Sequence, residues 1–167
     1  MFRAIEDFRK SWQYESEATA KVFDYLTQDS LDKRVTDDGR SLRDLAWHIT
    51  QTVTEMPGQA GYAVEGARHE QPAPESLKEI QEAYRSAARS CSDVLGSQLS
   101  DEKLTETLSM YGQDGWTYGG LLTALISHQA HHRGQMTVLM RQAGLVVPGV
   151  YGPAKEEWAA MGLEAQP

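Results

Sequence analysis

With 167 residues, 16 Lys and Arg against 24 Asp and Glu and a formal net charge of -8, the chain has the length of one folded unit over 1–167 and a surface that repels phosphate backbones. Hydrophobic residues at 40% and charged residues at 24% are ordinary globular proportions, and the charged amino terminus MFRAIEDFRKSWQYESEA resembles neither a secretory signal nor a transit peptide. No apolar run approaches the about 20 residues of a membrane helix, and the lone Cys91 suits a reducing compartment, so the expectation is a cytoplasmic protein with no nucleic-acid and no membrane partner.

The first predicted helix covers residues 2–27, where Phe2, Ile5, Phe8, Trp12, Thr19, Val22 and Leu26 recur at steps of three and four. Glu15 interrupts that stripe. After the polar stretch TQDSLDKRVTDDGR, Ser41 and Asp44 have capping-box spacing, and a second helix is expected to run to Glu55 or Met56, stopped by Pro57 and Gly58. Its apolar face is Leu42, Leu45, Ile49, Val53 and Met56. Residues 58–74 are rich in Gly, Pro and Ala without a period and read as a long crossover.

A third helix is predicted from about Glu75 to Leu95 along Leu77, Ile80, Tyr84, Ala87, Cys91 and Val94, with Cys91 a small buried hydrophobe in the seam. Residues 105–120 read as loop or a short extended piece. The fourth helix is expected from about Thr117 to Ala143, with Gly144 at the left-handed C-cap position. The predicted fold is therefore all-α, a four-helix bundle with a long crossover between helices 2 and 3.

The run SHQAHHRGQM in the fourth helix holds His128, His131 and His132. At about 100° per residue, His128 and His132 share one stripe with Leu121, Leu125, Gln135 and Leu139, whereas His131 points away. Two imidazoles at i and i+4 have the spacing to chelate one metal ion, although inward histidines also serve as neutral, hydrogen-bonded core groups. His48 lies about 100° from the centre of its helix's apolar face and shares a flank with Asp44, Thr52 and Glu55, so periodicity alone reads it as part of a solvated polar stripe. His69, in the crossover, has no partner at ligand spacing and reads as surface.

A histidine in SLRDLAWHIT followed by SHQAHHRGQM resembles the DinB-like (DinB/YfiT) superfamily of metal-binding four-helix bundles. The resemblance extends through GWTYGGLLTALISHQAHHRGQM and the tail VPGVYGP to nearly the whole chain. It implies a metal triad of His48, His128 and His132, a bundle with an unusual order of helix directions, and a homodimer. It also implies enzymes of stress response or detoxification, S-transferases that join a low-molecular-weight thiol such as bacillithiol, mycothiol or glutathione to a small-molecule electrophile.

Three neutral imidazoles would accept Zn or Ni best, with Fe or Mn also accommodated, and would leave a position open for water or substrate. No catalytic residue is identifiable. Glu55 and Glu15 could project toward the site, but the plainer reading leaves both in water. Arg133 is expected to make structural or interface contacts, and Gln135 to hydrogen-bond a ligand ring. The HExxH arrangement lacks its glutamate here and the Glu-x-x-His pairs of di-iron bundles are missing, which favours one ion. A non-catalytic metal- or ligand-binding bundle and a metal-dependent hydrolase stand as the alternatives.

Overall fold

The computed structural model describes residues 2–164. Four long helices form the bundle: α1 (Ile5–Asp24), α2 (Leu42–Gln59), α3 (Leu77–Gln98) and α4 (Tyr118–Gln142). A two-stranded hairpin, β1 (Thr107–Met110) and β2 (Gln113–Thr117), sits between α3 and α4. α1 and α2 each pack against α3 and α4, so α1 and α2 are diagonal partners across the bundle.

α1 follows its expected stripe, burying Phe8, Trp12, Thr19, Val22 and Phe23, and it also buries Glu15. The Trp12 indole N–H donates to the Ala88 carbonyl at 3.0 Å and ties α1 to α3. α2 begins with the expected capping box: the Asp44 N–H donates to Ser41 Oγ at 3.1 Å, and the Ser41 N–H donates to Asp44 Oδ2 at 2.8 Å.

Pro57 does not stop α2. It lies within the last turn, where bonds from Ala60 and Gly61 to the carbonyls of Pro57 and Gly58 tighten the helix into its end. Cys91 is fully buried in α3, and burial pushes its thiol well above the usual range. α4 ends as the sequence suggests. Gly144 takes φ +74, its N–H bonds the Arg141 carbonyl, and the Leu145 N–H bonds the Met140 carbonyl, a Schellman motif.

The crossover 60–76 has no regular structure, yet it is pinned along α2. The Trp47 indole donates to the Gln71 carbonyl at 2.8 Å, and the Gln51 amide lies against the carbonyls of Arg68, His69 and Gln71. Gly66, at φ +150, passes so close to α2 and α3 that a β-carbon would sit 2.8 Å from Ala87 and 2.9 Å from Thr54. The consequence is that α2 is covered on more than its apolar face, with Trp47, Gln51 and Thr52 all buried.

The piece expected as loop or extended chain is a hairpin. Tyr111 and Gly112 form its two-residue turn with φ of 52 and 71, the doubly positive pattern of a type I′ turn. A non-glycine residue at that φ costs conformational energy, and Tyr111 is held there by a contact described below.

Candidate metal centre

Three ring nitrogens meet between α2 and α4. His48 Nε2 lies 3.2 Å from His128 Nε2, and His132 Nε2 lies 3.2 Å from the same atom. His132 is buried, and His48 and His128 are half-buried. Metal–nitrogen bonds of about 2.0–2.1 Å at a tetrahedral angle separate two donor nitrogens by roughly 3.3 Å, so the observed spacing is that of donors sharing one cation. These three side chains are close enough to hold a metal ion.

The sequence reading of His128 and His132 as an inward i, i+4 pair agrees with this arrangement, whereas the solvated reading of His48 is corrected. The reason is α4: the His48 ring lies against the His128 and His132 rings across the α2–α4 contact, so this flank of α2 faces a neighbouring helix and a cleft rather than open solvent. His131 is exposed and outside the cluster, as its position on the wheel implies.

Protonation supports the same use of the site. Burial is the largest cause lowering His48 to about 4, followed by the Arg40 charge and the other two rings; burial and then His132 lower His128 to about 4. Burial lowers His132 as well, partly opposed by Gln135. At neutral pH the rings are neutral and present lone pairs. Three converging Nε2 atoms cannot all satisfy one another, and His128 Nδ1 is buried with no hydrogen-bond partner among the described residues. A cation at the Nε2 atoms resolves their convergence, so the donor set fits a divalent ion.

Gln135 meets its expectation. Its Oε1 accepts from His132 Nδ1 at 2.7 Å, which turns the Nε2 lone pair toward the other rings. Gln135→Leu is expected to weaken divalent-metal affinity by about 10- to 100-fold, read by competition with a chromogenic chelator. Unchanged affinity would show that the ring needs no such support.

A pH dependence follows from the lowered rings. The unfolded chain, with imidazoles near 6.5, binds more protons than the folded one between that value and about 4. Metal-free protein is therefore expected to lose thermal stability as pH falls from about 6.5 to about 4 and to level off below, beyond any loss seen in a His48→Asn/His128→Asn variant. Parallel melting profiles for the two proteins would contradict the depression.

Buried polar groups beside the three histidines escape a reading based on apolar periodicity. Gln129, fully buried next to His128, accepts from Tyr84 Oη at 3.0 Å and donates to the Ile49 carbonyl at 3.2 Å, joining α3, α4 and α2 at the site. Arg133, next to His132 and 2% exposed, donates to Glu15 Oε2 at 2.6 Å, to Thr19 Oγ1 at 3.0 Å and to the Glu15 carbonyl at 3.1 Å. The Tyr151 hydroxyl, from the tail after α4, joins them, donating to Glu15. The expectation of a solvated Glu15 is thus wrong: its carboxylate is the buried counterion of Arg133, and Arg133 is structural.

Glu55 is also not simply solvated. It lines a cleft of about 450 Å³ with His48, His128 and Trp116, and the Tyr111 hydroxyl donates to Glu55 Oε2 at 2.8 Å. Burial, and then Glu55, raise the Tyr111 phenol well above its ordinary range, so it remains the proton donor of the pair. This bond holds the strained hairpin tip over the cleft. His69 is exposed, as expected, but stands on the lining of this cleft.

The DinB family profile matches residues 1–166. YrdA of Bacillus subtilis strain 168, described as an uncharacterized protein, is 42% identical over 165 residues, covering 99% of this chain and 98% of its own. The crystal structure of a DinB-like protein from Bacillus cereus ATCC 10987 superposes with a TM-score of 0.85 at 41% identity, covering 90% of this chain and 100% of that one. A second DinB-like crystal structure, YjoA of Bacillus subtilis, shares the fold at a TM-score of 0.67 and 18% identity, over 86% and 96% of the two chains.

Proposed function

From its place as a member of the DinB family, to which the full-length match assigns this chain, we propose that the protein is a divalent-metal-dependent enzyme that joins a low-molecular-weight thiol to an electrophilic carbon. The observation that carries the reading is the accessibility of the triad. Separate clefts reach it from the His48/His128 side and from the His132 side, so the centre is open where a structural site would be closed. The neutral all-nitrogen donor set suits zinc or nickel.

An ion bound there would supply a Lewis acid that stabilises a thiolate at neutral pH. The three histidines hold and orient it; Glu55 accepts the thiol proton from within the cleft; the Tyr111 hydroxyl keeps the receiving carboxylate in place. The sulfur lone pair forms the new C–S bond as the bond from carbon to its leaving group breaks, and the leaving group departs with that electron pair. No electron is gained or lost overall. The same carboxylate would serve a water nucleophile, which makes hydrolysis the second reading.

Metal-loaded protein assayed with bacillithiol, mycothiol and glutathione against 1-chloro-2,4-dinitrobenzene is expected to form the thioether with at least one of the three. Glu55→Gln is expected to lower kcat by about 100-fold with the metal still bound. A rate above the protein-free background that does not depend on the metal with any of the three thiols would overturn the transferase reading, as would no rate above that background.

A further inference from the structure

The two clefts at the triad differ in chemistry. The one on the His132 side, of about 420 Å³, has walls of Val35, Leu45, Val138 and Leu139, and Arg40 is the one charged residue on its lining. Val35 and Val138 are 64% and 56% exposed, an unusual cost for two branched apolar side chains flanking one opening.

Arg40 is free to serve a ligand. Among the described residues no carboxylate pairs with it, while its neighbour Arg43 is engaged by Asp32 and Glu75. Asp37 and Asp38, the nearest acids in sequence, form no ion pair with it among the described residues, and Asp44 is committed to Ser41. The loop that carries Arg40 is anchored. Leu31 is fully buried, the Leu42 and Arg43 N–H groups donate to the Lys33 and Leu31 carbonyls at 2.9 Å, and Gly39 closes a turn on the Thr36 carbonyl at 3.0 Å. The guanidinium thus hangs from a fixed backbone into a cleft shared with His132.

We propose that this cleft is the substrate subsite and that it takes an aliphatic chain bearing a carboxylate, with the carboxylate paired to Arg40 and the other end of the molecule delivered to the His132 face of the metal centre. A guanidinium recognises a carboxylate through two parallel hydrogen bonds, and the aliphatic walls remove the chain from water. The inference rests on the reading of the triad as a reaction centre. It adds which class of substrate is admitted and from which side, leaving the Glu55 cleft for proton transfer.

Cobalt-loaded protein titrated with 6-mercaptohexanoate and 6-mercaptohexanol, watched through the sulfur-to-cobalt absorption, tests both levels. Calorimetry with hexanoate and 1-hexanol supplies a sulfur-free arm. Each acid is expected to bind about tenfold more tightly than its alcohol. Arg40→Gln should abolish the difference, Arg40→Lys restore part of it, and Val138→Asp weaken both ligands, the acid more than the alcohol because the new carboxylate competes for Arg40.

Equal binding of acid and alcohol, or an acid preference that survives Arg40→Gln because the carboxylate goes to the metal itself, would overturn the subsite. If neither thiol gives a sulfur-to-cobalt band, the thiol reading fails, and the hexanoate arm still decides the subsite. A Val138→Asp variant that changes only the sedimentation of the protein would assign the face to a second copy of the chain and would overturn the proposal too.

Discussion

Replacing Arg133 with methionine is expected to destabilise the protein by about 3–5 kcal/mol, because it strands the Glu15 carboxylate in the core without its cation. The cost is large for a physical reason. Both side chains are inside the bundle, Arg133 is satisfied by Glu15, Thr19 and a backbone carbonyl, and Tyr151 caps the pair from the tail. In a chain of this length the loss corresponds to a fall in melting temperature of roughly 10 °C, measured by circular dichroism with metal content held constant.

The partner test is Glu15→Leu in the same background. With both charges gone and apolar volume in their place, the double variant is expected to recover most of the lost stability, since an ion pair in a protein interior stabilises little relative to a well-packed apolar pair. An Arg133→Met variant within about 1 kcal/mol of wild type would mean that water reaches Glu15 and that the pair is not the clamp between α1, α4 and the tail.

The second large effect is on metal affinity. His48→Ala leaves two imidazoles where three converge and is expected to weaken divalent-ion binding by more than the about 100-fold upper range that loss of a supporting residue produces. His131→Ala, one residue from His132 but outside the cluster, is expected to bind as wild type does. Equilibrium dialysis of the two variants beside wild type separates a site built by geometry from a loose affinity of a histidine-rich helix, for which both changes would weaken binding by similar amounts.

These two features mark the boundary of what the sequence makes legible. His128 and His132 are visible because they belong to the same helix, where spacing alone sets direction. His48 is not, because what stands opposite its flank is a pair of rings on α4, some 80 positions later, which the periodicity of α2 does not report. An apolar stripe marks the face a helix buries in the apolar core; it misses a flank whose partners on the next helix are polar.

Glu15 shows a related limit. In α1 it interrupts an otherwise apolar stripe, and such a residue is usually solvated. What makes it an interior residue is Arg133, 118 positions later, and neither side chain alone announces the pair. Gln129 escapes notice in the same way, since its amide is satisfied by Tyr84 and by the Ile49 carbonyl from two other helices. The hairpin is short, and its Tyr111-Gly112 turn lacks the Asn-Gly or Asp-Gly signature, which is why only an extended piece could be expected there. The caps, by contrast, are local chemistry: Ser41 with Asp44 and Gly144 stand where their side chains and backbone preferences put them.

The three-imidazole centre is tested most directly by X-ray absorption at the metal edge of protein loaded with one equivalent of zinc. The expected spectrum shows one ion with three imidazole rings at about 2.0–2.1 Å and the remaining position filled by a single oxygen without an imidazole's outer-shell scattering. Two or fewer imidazoles, or a shell made mainly of carboxylate oxygens, would contradict the assignment of His48, His128 and His132.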